Sequence, residues 1–328
     1  MTLVTRRAVV TAIALVALGP GASFVAPLAE LPSSTVSAQG DLPELRLVPD
    51  DAAFVGFADL RAMLTSPLWQ QLRRSLPVSP ERQGTFEAEI GISFERDVDR
   101  VLIYAAPAAT GSRPDAGLAL ARGRFNAARI EELMRVHGAS VEEYRAHRLL
   151  VSDRPAGPGI GDGSKEPIAV SFIEPGLAAI GTRELVQRAI DRRAGGPNVT
   201  GNDEFMNLLR SLQAGDVWAV GRYEALGGEA QLPAAIAGQI PPISWMALSA
   251  RISNGIGGVL QVEVRDEQSA DGLRDIVRRF IDLGRTQAPP GPGVQTLLQS
   301  LELRGTGRTV TLSFDAPADL LDQLAAHP

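Results

Sequence analysis

Asp51-Ala52-Ala53-Phe54-Val55-Gly56 recurs, in altered spelling, as Asp216-Val217-Trp218-Ala219-Val220-Gly221. Each time an Asp leads into a short apolar run with β-branched and aromatic residues, the composition of a buried strand. Working outward, each copy opens a similar series of elements. Gly117 to Ala121, followed by a helix from Asn126, has its counterpart in Val259 to Val264, followed by a helix carrying Leu273, Ile276, Val277, Phe280 and Ile281. The hairpin Val141 to Val151 is matched by Leu301 to Arg304 and Thr309 to Phe314, turned at Gly305-Thr306-Gly307. Hairpin-length connections join most neighbouring strands. The expected fold class is therefore α+β: two similar units of largely antiparallel sheet, with amphipathic helices packed on the sheet face. The expected boundaries are a signal peptide at 1–38, a linker at 39–48, a first unit at 49–213 and a second at 214–328.

Local signals fill in this outline. Ser66 is a good N-cap and Pro67 suits a first helical turn, so a helix runs from there to about Leu76. Asn126 caps a helix carrying Ile130, Leu133, Met134 and His137, and Gly138 is placed to end it. Ile168 to Ile173 and Leu177 to Ile180 form a second hairpin, after which Thr182 caps a helix carrying Leu185, Val186, Ala189 and Ile190. A further helix passes through Phe205, Leu208, Leu209 and Leu212. In the helix over 270–283 the apolar stripe should face a sheet, leaving Arg274, Arg278 and Arg279 to water. Residues 153–167 are rich in Gly and Pro, which predicts a mobile loop.

The first forty residues give an address. Arg6 and Arg7 precede an apolar run from Ala8 to Gly19, and a small-residue stretch ends at Val36-Ser37-Ala38, the pattern of a secretory signal cleaved after Ala38. A bilayer span takes roughly 20 apolar residues, more than this run contains. The segment from Thr5 to Val10 resembles a twin-arginine signal but has Val9 and Val10 where Phe and Leu are usual, so the twin-arginine and general secretory routes both stay open. The chain has no Cys, which excludes a lipid-anchored N-terminus and leaves stability to the core. Removing Arg6, Arg7 and Glu30 with the signal leaves 30 basic and 37 acidic residues, a net charge of −7. Nucleic acid and anionic membrane surfaces call for a basic face, so neither is an expected partner.

Chemistry-bearing motifs are sparse. The chain has no Gly-x-Ser-x-Gly elbow and no Cys nucleophile, and His137, His147 and His327 are its only histidines. Nor is there an HExxH spacing: His137 and His147 lie on different predicted elements near Glu131, Glu132, Glu142 and Glu143, and the last two point to opposite faces of a strand. Asp97 and Asp99 would share a face if extended, with Arg96 and Arg100 as ready partners. Gly157 to Lys165 lacks the Gly-Lys-Ser/Thr order of a phosphate loop. Trp69, Trp218 and Trp245 sit in apolar segments and read as core. No catalytic, cofactor-binding or metal-binding residue is assigned, and no cofactor is implied.

Pro49-Asp50-Asp51, Phe54-Val55-Gly56-Phe57 and Asp59-Leu60, with Ser66-Pro67 opening the next helix, resemble a group of uncharacterised exported bacterial proteins built from a repeated α+β unit. The resemblance implies a periplasmic or extracellular location and carries over no catalytic residue. Two functions follow as expectations. The first is an exported envelope protein without enzymatic activity, a binding or accessory protein for a partner protein, lipid or polymer. The alternative is an exported hydrolase with an unfamiliar site, drawn from the histidines and from Asp97 and Asp99.

Overall fold

The computed structural model describes residues 39–75, 91–106, 117–152, 167–223, 240–287 and 292–320. Their strands are β1 (Phe54–Asp59), β2 (Val98–Ala105), β3 (Gly117–Gly123), β4 (Ser140–Tyr144), β5 (His147–Ser152), β6 (Ile168–Glu174), β7 (Leu177–Thr182), β8 (Val217–Arg222), β9 (Ile243–Ile252), β10 (Gly255–Val264), β11 (Glu302–Arg304) and β12 (Thr309–Pro317). The helices are α1 (Leu60–Thr65), α2 (Pro67–Ser75), the short α3 (Phe94–Asp97), α4 (Ala127–Val136), α5 (Arg183–Arg193), α6 (Asp203–Ser211), α7 (Glu267–Gln287) and α8 (Pro292–Ser300). All twelve strands join one antiparallel sheet in the order β11-β12-β10-β9-β8-β1-β2-β3-β7-β6-β5-β4. The α+β class and the antiparallel pairing are as expected. The two expected units, however, share a single sheet.

The two stretches that resemble each other in sequence meet at the centre of that sheet. Val55 lies opposite Val220, its equivalent in the second stretch, while Phe54 faces Gly221 and Gly56 faces Ala219. This is the register of a twofold axis between Val55 and Val220. The glycines that end the two stretches make room for one ring: a Cβ on either Gly56 or Gly221 would come within 3.0 Å of Phe54. The match of the outer hairpins differs from expectation. β12 lies beside β10 as β7 lies beside β3, so β11 and β12 hold the positions of β6 and β7, and the hairpin of β4 and β5 adds two strands beyond them.

Side-chain alternation assigns a role to each face. One face of the first seven strands carries Val55, Leu102, Leu118, Leu120, Ala179 and Leu149, buried under α5, α6 and two 3-10 turns at Gln39–Asp41 and Pro43–Leu47. Their opposite face carries Ala119, Ala121, Val170 and Ile180, packed with Ile130 and Met134 of α4. On that same opposite face of the second half, Val262, Val264 and Val310 pack with Ala270 and Leu273 of α7.

Residues 39–48, expected to be a linker, belong to the core. Leu42, Leu45, Leu47 and Val48 are buried, and Leu45 is 0% exposed. Pro43 and the lack of a helical or strand period make the segment read as a connection, but its leucines fill the face that α5 and α6 leave open. The stripe on α7 is also rotated from expectation. Arg274 is buried, 8% exposed, because its guanidinium donates to Gly307 O and Thr309 O at 2.9 Å, while Phe280 and Leu283 are 45% and 48% exposed. The expected caps are in place: Asn126 Oδ1 accepts from Arg129 N at 3.1 Å, Thr182 Oγ1 from Leu185 N at 3.5 Å, and Gly138 leaves α4 at φ +92°.

Candidate functional site

The face that is closed over the first half of the sheet stays closed as far as Trp218, Val220, Trp245 and Ala247, and beyond them no described element covers it. Cover ends at α6, where Ser211 Oγ bonds Gln261 Oε1 of β10 at 2.7 Å. Beyond this, β9, β10, β12 and β11 present Ser249, Arg251, Gly257, Val259, Glu302, Arg304, Ser313 and Asp315, which line a groove of about 430 Å³ together with Gln213 and Ala214. The sequence builds the groove by alternation, since the intervening Ala250, Ile256, Phe314 and Ala316 turn into the opposite core.

Two cross-strand rows form its floor. Ser249, Val259 and Ser313 stand side by side, and so do Arg251, Gly257 and Asp315. Arg251 Nη2 donates to Ala214 O at 3.0 Å, which holds that guanidinium against the wall after α6. Arg304 and Glu302 pair with each other. Ser300 Oγ accepts from Asp315 N at 2.8 Å and donates to Asp315 O at 3.1 Å, leaving the Asp315 carboxylate without a bond among the described residues. A Cβ on Gly257 would find nothing nearer than 4.0 Å. The groove thus combines hydroxyls, one glycine gap and charges of both signs.

A second polar cluster lies on the closed side. Glu44, 3% exposed, accepts from Arg122 Nε at 2.5 Å and Arg100 Nη2 at 3.0 Å, and Arg122 Nη2 continues to Glu174 at 2.6 Å. Burial pushes the Glu44 carboxyl up, but the bonds from Arg122 and the charge and bonds of Arg100 outweigh it and hold the carboxyl below its usual range. Burial opposes the charge on Arg122 as well, and its contacts with Glu174 and Glu44 raise its pKa regardless. Both cations are neutralised within the cluster, so its task is to clasp residues 43–47 onto the sheet. Elsewhere in this core, burial pushes the Tyr104 phenol up to about 12, keeping it neutral.

The residues singled out from the sequence do not converge. His137 is exposed at the end of α4, its Nδ1 2.8 Å from Leu133 O, and His147 sits opposite Tyr144 at the hairpin turn. Glu131 pairs with Arg148 at 2.6 Å and Glu142 with Arg183. Asp97 accepts from Ser93 N, the cap of its own short helix, at 2.8 Å, whereas Asp99 pairs with Arg61 and Arg100 with Glu44, so Asp99 and Arg100 meet partners on other elements rather than each other. Among the described residues no group of three or more His, Asp or Glu is placed to hold a metal. Trp218 stacks on Phe57 at 5.7 Å, and Trp245 lies under Arg222 at 4.7 Å. His327, residues 153–166 and the signal segment 1–38 lie outside the described residues. Both the groove and the clasp went unread in the sequence. The available signal was the polar alternation of Gln261-Val262-Glu263-Val264 and Thr309-Val310-Thr311, which marks a half-solvated sheet without saying where it hollows.

No family model and no curated protein matches the chain. A solved structure described as "Structure of crystal form I of TP0453" is similar with a TM-score of 0.47 and 11% identity, over 87% of this chain and 97% of that one. Among the described residues, no helix is long and apolar enough to cross a membrane.

Proposed function

We propose that the protein is exported and acts as a binding or accessory protein without enzymatic activity, engaging its partner through the open face of β9, β10, β12 and β11. The supporting observation is the uneven cover of one sheet. Among the described residues, helices and 3-10 turns seal this face from β4 across to Trp245 and Ala247 of β9, and a groove of both charge signs and hydroxyls follows. A partner protein, lipid or polymer would supply the missing layer. The register around Val55 and Val220 supports descent from a duplicated α+β unit, one copy of which acquired the extra cover. Export with cleavage after Ala38 is compatible with the core of the described residues, whose first buried side chain, Leu42, follows that site.

Native mass spectrometry of the mature chain, residues 39–328, from the envelope of its own host tests this reading. The expected result is a species heavier than the chain, whose extra mass is lost on denaturation and is absent in a Thr311→Trp variant that crowds the open face. A bare chain mass for the unaltered protein would overturn tight binding, and a processed N-terminus other than Gln39 would overturn the cleavage site.

A further inference from the structure

The groove is lined by side chains of both charge signs. Arg304 and Glu302 pair with each other, leaving among the described lining residues one cation, Arg251, and one anion, Asp315, facing the same space. They sit on β9 and β12, with β10 between them, so their backbones are about 10 Å apart at the usual spacing of neighbouring strands. The residue between them is Gly257, directly opposite Arg251 on one side and Asp315 on the other. Any other residue would put a side chain in that gap; here an added Cβ would have 4.0 Å of clearance. Two opposite charges on one sheet face would ordinarily close on each other across such a gap. Arg251 is instead turned toward Ala214 O, and the Asp315 carboxylate has no partner among the described residues.

Resting on the binding reading above, we infer that this groove binds a small zwitterion, an ammonium and an anionic group on one short stem, with the ammonium at Asp315, the anion at Arg251 and the stem over Gly257. A lone anion would face the unpaired Asp315, and a lone cation would face Arg251, so each leaves one protein charge opposed or unused. Arg251 donates one N–H to Ala214 and keeps its other donors for a carboxylate or phosphate. Ser249 and Ser313, one row along, offer hydroxyls to the ligand's polar atoms, and Val259 between them gives an apolar surface for a side chain or acyl stem. A free α-amino acid and a phosphoethanolamine headgroup share this chemistry and differ in the anion.

Calorimetric titration of the mature chain with glycine and with O-phosphoethanolamine, each to about 10 mM, separates the two sources, with acetate and methylamine as singly charged controls. The expected result is binding of at least one zwitterion, at least tenfold tighter than either control. Asp315→Asn should weaken it at least tenfold. Gly257→Val should abolish it while leaving the circular dichroism spectrum unchanged, because the site has room and a β-branched residue suits a strand. Preference for glycine would indicate an amino acid, and preference for O-phosphoethanolamine a lipid headgroup. Failure of both probes, or full binding by the Gly257→Val variant, would overturn the assignment. If the probes fail while the host-purified protein still carries extra mass, the zwitterion assignment falls and the binding reading stands.

Discussion

The two halves of the sheet solve the same problem in unlike ways. In the first half both faces are apolar and covered, and the one carboxylate drawn into that cover, Glu44, is held by two arginines. In the second half one face is apolar and carries α7, while the other, beyond Trp245 and Ala247, forms a polar groove in which the Asp315 carboxylate has no partner among the described residues. The same strand order therefore supports a closed core that reaches past the β1–β8 seam to Trp218, Val220, Trp245 and Ala247 and, beyond them, a polar groove. A charged side chain must be neutralised where water is excluded, and it is free to meet a ligand where water remains.

The sharpest test of this contrast is Leu45→Ala. Leu45 is fully buried in the 3-10 segment, and its truncation should cost about 2–5 kcal/mol in urea unfolding. A loss under about 1 kcal/mol would mean that residues 43–47 are a loose overlay rather than core. Next, Glu44→Gln should cost about 2–3 kcal/mol, less than a fully buried ion pair because Arg100 and Arg122 stay partly exposed. Its pH signature follows from the direction of the shift. A carboxyl held below 4.5 stabilises the fold above that pH and loses this contribution as pH falls through its folded value, so the gap between wild type and Glu44→Gln should be constant above about pH 5 and shrink in more acidic solution. At the far edge of the closed half, Arg145 and Ala146 form the β4–β5 turn with φ of 47° and 63°. Ala146→Gly should relieve that strain and raise stability by about 0.5–1 kcal/mol, seen as a higher urea midpoint. The smallest effect belongs to the open face: Thr311→Val should change stability by no more than about 0.5 kcal/mol, and a larger loss would show that this face is packed after all.

What the sequence disclosed follows the range of each interaction. Asn126, Thr182 and the β4–β5 hairpin were readable because each joins residues only a few positions apart. The pairing of β1 with β8 was not. Similarity between the two stretches announces like strands without saying that they are neighbours. The rotation of α7 was hidden for another reason. Its apolar residues span an arc wide enough for two orientations, and the choice is made by Ala270 packing on the sheet and by Arg274 reaching the carbonyls of Gly307 and Thr309, both tertiary facts. Of the candidate site, the alternating character of its strands was legible. The hollow was not, because it depends on Gly257 standing beside Arg251 and Asp315 from two other strands.

The seam also sets a condition on synthesis. β1 reaches the ribosome exit long before β8, so a chain whose first half has already folded presents Phe54-Val55-Gly56-Phe57 as an unpaired edge with its row of backbone donors and acceptors exposed. Until β8 arrives, that edge can recruit the same stretch from another nascent chain, and its near-twin sequence in β8 makes the wrong partner resemble the right one. Delayed or truncated translation beyond Leu212 would therefore favour aggregates nucleated at β1.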